Sequence, residues 1–98
     1  MQKGGCIYIM SNKFRTTIYI GVTSNLEGRI WEHINKAYPK SFTAKYNLNI
    51  CVYYECFLTI LEAIAREKEL KGWRRNKKNE LINQINPNWE DLYSQLIN

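Results

Sequence analysis

Two short apolar runs dominate the first quarter of the chain: CIYIM at 6–10 and IYIGV at 18–22. Both are rich in β-branched and aromatic residues, and the polar stretch SNKFRTT between them is of loop length. That pattern predicts a β-hairpin with a longer connection. A hairpin sets its strands side by side, so Tyr8 and Tyr19 lie on neighbouring strands and share a face if the register allows it. Sequence does not fix that register.

Beyond the hairpin the pattern changes to that of a helix. Ser24-Asn25-Leu26-Glu27 reads as a capping box, with Ser24 as the N-cap. Leu26, Ile30, Ile34 and Ala37 recur at helical spacing and form the expected core stripe. Arg29 and His33 stand four residues apart beside that stripe, so they point the same way. Pro39 is expected to end the helix. KSFTAKYNLN then reads as a polar connection, and ICVYYECF at 50–57 as a third strand. Thr59-Ile60-Leu61-Glu62 is a second capping box, opening a helix to about Lys71. Gly72 interrupts it. A further helix is expected from about Trp73 to Ile85, stopped by Asn86-Pro87, and a short one from Trp89 to Ile97.

The 98 residues suit one domain, and 45% hydrophobic content fits a folded globular chain. The formal net charge of +5, with a pI near 9.2, suits a polyanionic partner without naming it. The three cysteines, Cys6, Cys51 and Cys56, are odd in number and form no C-x-x-C pair. Each sits in an apolar strand-like stretch, so buried, reduced cysteine is the expectation, and a zinc site is not. No signal-peptide pattern and no run near the ~18 apolar residues of a membrane span is visible, which points to a cytoplasmic protein with no membrane contact.

Several residues ask for chemistry. Ile60, Ala63, Ile64, Glu67, Leu70 and Lys71 are related by steps of three and four, which puts Glu67 inside a core-facing stripe. A carboxylate there is costly unless it is paired or holds a cation. Pairing with Lys71 at i+4 is the ordinary explanation, and metal binding the functional one. Seven of the fourteen Lys and Arg fall in REKELKGWRRNKK, 66–78, around Trp73. Basic residues interleaved with an aromatic suit phosphate contacts and stacking, although a solvated helix face explains some of them equally well. Lys71, Trp73, Arg74, Arg75, Lys77, Lys78 and the separate Lys45 are the candidate nucleic-acid contacts. Tyr8, Tyr19, Arg29 and His33 mean little singly. Together they supply hydroxyls, a charge clamp and a proton carrier suited to a phosphodiester, with Glu67 to hold a metal.

The ordered set Y…YIG…R-x-x-x-H…E…N-P resembles the GIY-YIG nuclease superfamily, in particular its small stand-alone members. It is also similar to the N-terminal nuclease domain of the bacterial nucleotide-excision-repair incision subunit. The pieces that match are CIYIM (6–10), YIGVTSNLEGRIWEH (19–33), YNLNICVYYE (46–55), AIAREKELKGWRRNKK (63–78) and NPNWEDL (86–92). The resemblance implies an α+β domain with a small three-stranded antiparallel sheet flanked by helices. It implies an endonuclease cutting DNA with one Mg²⁺ or Mn²⁺, in a repair or recombination setting. Tyr8, Tyr19, Arg29, His33, Glu67 and Asn86 would be its catalytic residues, with Glu67 as the metal ligand and Gly21 the second motif's glycine. Cys6 replaces the first motif's glycine, and Val22 stands where some members carry lysine. A domain this small leaves target choice to DNA structure, a partner protein or a homodimer. A module of the same fold that binds nucleic acid without cutting is the alternative.

Overall fold

The computed structural model describes residues 4–97. Strands β1 (Gly5–Ser11), β2 (Ile18–Thr23) and β3 (Ile50–Phe57) form one antiparallel sheet in the order β2-β1-β3. All three lie within a residue of the sequence expectation, because alternating β-branched and aromatic side chains are a local signal. β1 is the middle strand and is buried along its whole length. Ile7 and Ile9 point to one face, with Ile20, Val52 and Tyr53. Cys6, Tyr8 and Met10 point to the other, with Cys51.

Helices cover both faces. α1 (Leu26–Ile34) packs Leu26 and Ile30 onto the tyrosine face. α3 (Ile60–Lys71) and α4 (Arg75–Ile85) cover the opposite face with Ala63, Leu70 and Ile82. The expected Thr59–Glu62 capping box is present in full. Arg66 fixes α3 to β3 by donating from Nε and Nη2 to the two oxygens of Glu55, each at 3.0 Å. The segment after α4 covers the outer edge of β3. Leu92 N–H donates to the Cys51 carbonyl at 2.8 Å, and Asp91 Oδ1 accepts from Cys51 N–H at 3.2 Å. These contacts occupy the edge ladder at Cys51.

Four expectations need correction. The N-cap of α1 is Asn25, not Ser24; its Oδ1 accepts from Gly28 N–H at 3.2 Å. The helix stops at Ile34, well before Pro39. Asn35 returns its side-chain amide to the Trp31 carbonyl, and Lys36 takes a left-handed φ of 52°. Ala37 is therefore exposed and lies outside the core stripe. Within the expected polar connection, Phe42–Lys45 forms a single helical turn, α2, whose N-cap Ser41 accepts from Ala44 N–H. The closing helix, α5, is only Tyr93–Leu96. The cysteine expectation is also revised: Cys6 and Cys56 are joined in a disulfide. β1–β3 pairing sets them directly opposite each other, 50 residues apart in sequence. Cys51 stays free and buried, and burial pushes its thiol up to about 12.

Candidate active site

Register brings the two motif tyrosines together. Tyr8 pairs with Gly21 and Met10 with Tyr19, so Tyr8 and Tyr19 are diagonal neighbours on one face. Their ring centroids are 6.3 Å apart. Gly21 lies directly beneath Tyr8: a Cβ there would overlap the hydroxyl end of the Tyr8 ring. The glycine is required by this close approach, since its backbone is the floor on which the phenol rests.

The Tyr8 hydroxyl is buried and hydrogen-bonds His33 Nε2 at 2.8 Å. His33, only 6% exposed on α1, places its Nδ1 2.8 Å from Thr43 Oγ1. Thr43 is buried on α2 and lies 3.2 Å from Ser41 Oγ. Ser41 in turn accepts from Ala44 N–H. A chain of hydroxyls and one imidazole thus runs from the sheet into α2. Among the described residues no buried side-chain polar atom lacks a partner.

The electrostatics are set by burial. Desolvation, with the neighbouring Tyr19 second, pushes the Tyr8 phenol well above its ordinary value, while Arg29 beside it pulls the other way without reversing the shift. Desolvation and then the Arg29 charge push His33 down to about 4, against Glu32. At neutral pH the site therefore holds a protonated phenol bonded to a neutral imidazole. Arg29 is partly exposed, pairs with Glu32 at 2.9 Å, and lies over the Tyr38 ring.

α3 approaches from the sheet's β2 side. Its Glu67 side chain is 13% exposed, and Oε2 pairs with Lys71 Nζ at 2.7 Å. That same ammonium sits 6.0 Å from the centre of the Tyr19 ring, which joins Glu67 to the tyrosine group. Glu67 is thus largely sunk in the helix stripe and paired with Lys71, the ordinary explanation of a carboxylate there.

Residues 4–80 match the model of the GIY-YIG catalytic domain. The chain belongs to the GIY-YIG family. It is 33% identical to a UPF0213 protein of Staphylococcus haemolyticus over 80% of this chain and 93% of that one. It is 34% identical to a UPF0213 protein of Haloquadratum walsbyi over 69% of this chain and 75% of that one. No solved structure gives a significant match. The GIY-YIG domain is of nuclease type, and GIY-YIG nucleases generally depend on a divalent metal.

The donor set fits such a metal in one specific way. No group of three or more His, Cys, Asp or Glu side chains able to hold an ion occurs among the described residues. A lone carboxylate suits a hard cation that keeps most of its shell as water and phosphate. The Lys71 ammonium on Glu67 shows that this carboxylate already receives positive charge.

The remaining GIY-YIG candidates are placed differently. Asn86 caps α4 and spends its amide on the backbone: Nδ2 donates to the carbonyls of Val52 and Glu90, and Oδ1 accepts from Glu90 N–H. Val52 belongs to the core under α3 and α4, on the other face from Tyr8. The basic run is partly committed as well. Arg75 donates to the Thr16 and Arg15 carbonyls, tying α4 to the β1–β2 loop. Trp73 packs against the same core, with Arg66 and Lys77 over its ring. Arg74 is exposed at the α4 N-cap, and Lys78 is half-exposed. Lys45 is exposed at the end of α2.

Thr43 and Ser41 escaped the sequence reading. The available signal was Ser41 as an N-cap two residues before Thr43, in a turn too short for hydrophobic periodicity to show.

Gly21 and His33 each carry a measurable consequence. Gly21→Ala should displace Tyr8 and cost about 1–3 kcal/mol of stability by overpacking, measured by urea unfolding. Unchanged stability would mean that the floor is not tight. His33 supplies a pH signature. Its folded pKa, about 4, lies below the ordinary 6.5, so the unfolded chain takes the proton first as pH falls. The contribution is complete above pH 6.5 and is lost between 6.5 and 4. It should amount to about 3 kcal/mol, read as the extra loss of stability of the wild type over His33→Gln. Parallel curves would contradict the assignment.

Proposed function

We propose that the domain is an endonuclease that hydrolyses DNA phosphodiester bonds with Mg²⁺ or Mn²⁺. The observation that carries this reading is the buried Tyr8–His33–Thr43 chain beside the Glu67–Lys71 pair. Burial that raises the Tyr8 phenol argues against a tyrosinate formed in advance. A concerted transfer suits the geometry better. As the attacking water gives a proton to Tyr8 Oη, the phenol passes its own proton to His33 Nε2.

The relay requires one set of directions along this chain. Ala44 N–H and Thr43 O–H donate to Ser41 Oγ, His33 Nδ1–H donates to Thr43 Oγ1, and Tyr8 O–H donates to His33 Nε2. In this arrangement Thr43 holds His33 in the tautomer whose Nε2 lone pair faces Tyr8. Arg29 supplies positive charge to a phosphate at the mouth of the site. Tyr19 orients the water from its diagonal position. A divalent cation on Glu67 would supply charge neutralisation at the phosphoryl and leaving oxygens. Lys71 must then leave Glu67, and it is exposed enough to swing toward the DNA backbone.

The Lys71–Glu67 pair also favours a second reading, a module that binds nucleic acid and does not cut it. Repair or recombination as the setting rests on family likeness alone. The two readings separate on labelled duplex, nicked, flapped and single-stranded DNA with Mg²⁺, Mn²⁺ or EDTA. Cleavage should need metal and fall by roughly 100-fold or more in Tyr8→Phe, which keeps the ring over Gly21, and in Glu67→Gln. Binding without cleavage on every substrate would replace the nuclease reading with the second one.

A further inference from the structure

The tyrosine face does not end at Tyr19. Phe42, on α2, has its ring centroid 6.4 Å from that of Tyr19, and Tyr46 lies 4.8 Å beyond Phe42. These two rings are 48% and 50% exposed. They belong to neither core cluster. Yet they are not loosely held. α2 is pinned from beneath by buried Thr43 and Ala44, and Thr43 is the residue bonded to His33. The same turn that completes the proton chain thus presents two aromatic faces to solvent, at a fixed place beside Tyr19.

The segment that carries these rings has charges of one sign. Between Glu32 and Glu55 there is no acidic residue, while Lys36, Lys40 and Lys45 all fall there. All three lysines are exposed, with Lys36 donating to Asn47 Oδ1 at 2.7 Å and Lys45 beside the rings in sequence. Beyond Tyr46 the surface opens into a cleft of about 340 Å³ lined by Asn12, Lys13, Phe14, Asn47 and Asn49. Phe14, with Lys13 over its ring, stands exposed at its rim. The 66–78 run differs, because it carries Glu67 and Glu69 among its basic residues.

We propose that Phe42 and Tyr46 form a base-stacking subsite for an unpaired DNA strand leaving the scissile phosphate, with Lys45 on its backbone. The proposal rests on the nuclease reading for the position of the scissile phosphate. Exposed rings in a lysine-only segment match the two chemistries that a single strand offers, π-faces and phosphates. A duplex buries its base faces in its own stack and leaves only edges and backbone to contact. A strand engaged here is unpaired on that side of the cut, and the Asn-lined cleft lies where the next base would arrive.

The test uses fluorescein-labelled single-stranded oligonucleotide and a hairpin duplex of matching sequence, with the full chain in EDTA so that binding is read without cleavage. Phe42→Leu/Tyr46→Leu should weaken single-strand binding roughly 10- to 100-fold, while duplex affinity changes less than about twofold. Phe42→Trp should retain single-strand affinity, which separates stacking from mere apolar bulk. Unfolding curves superimposable on the wild type show that the fold is kept. Unchanged single-strand affinity, or an equal loss on the duplex, would overturn the subsite. So would a loss confined to self-association in sedimentation, since the rings would then serve a second copy. Metal-dependent cleavage in a control, with ring-insensitive binding, would leave the nuclease reading standing and remove the subsite. Ring-dependent binding with no cleavage under any metal would keep the stacking surface and remove the nuclease reading.

Discussion

A phenol at the centre of a sheet has to be paired. Tyr8 lies on the middle strand, buried on both sides, with its ring resting on Gly21. A hydroxyl in that position costs stability unless it finds a partner, and it finds His33. A buried imidazole in turn needs a partner for its second nitrogen, which Thr43 supplies. The helical turn α2 is therefore no incidental loop feature. Its N-cap, Ser41, closes the chain begun at Tyr8. The hairpin register, the placement of α1 and the existence of α2 are all bound to one series of hydrogen bonds, and in a dry site such a series is strong only when complete.

Charge is arranged around this dry centre rather than within it. Arg29 keeps one side in contact with solvent, paired with Glu32, and Glu67 with Lys71 closes on Tyr19 from α3. These groups can exchange partners when an anionic ligand arrives. The Tyr8–His33–Thr43 chain is held more firmly, because all three members are buried. The site thus combines a buried hydrogen-bond chain with solvent-facing charges, an arrangement that suits the reaction on a phosphate proposed above.

Local patterns in the sequence carried much of this. The three strands, the Thr59 capping box and the position of Glu67 on its helix stripe are short-range signals and appear where expected. What failed depended on longer-range or finer geometry. The Cys6–Cys56 disulfide depends on β1–β3 register, which no local pattern encodes. α1 ends at Asn35 because a side-chain amide satisfies the Trp31 carbonyl and Lys36 tolerates a left-handed turn, so Pro39 never needs to act. α2 is one turn long, below the length at which periodicity can speak. Among the candidate residues, Tyr8, Tyr19, Arg29 and His33 come together through the hairpin and α1. Asn86 and Arg75 are drawn into holding the chain to itself.

The proposed proton path can be tested directly, because His33 is the chain's one histidine and its ring signals need no assignment by mutation. The measurement is ¹⁵N NMR of that imidazole across pH in the unliganded protein. At pH 7 the account predicts a neutral ring with the proton on Nδ1, facing Thr43, and a bare Nε2 facing Tyr8. No titration should appear until the pH approaches 4. An imidazolium at pH 7, or a neutral ring with its proton on Nε2, would contradict it, for Tyr8 would then have nowhere to send its proton.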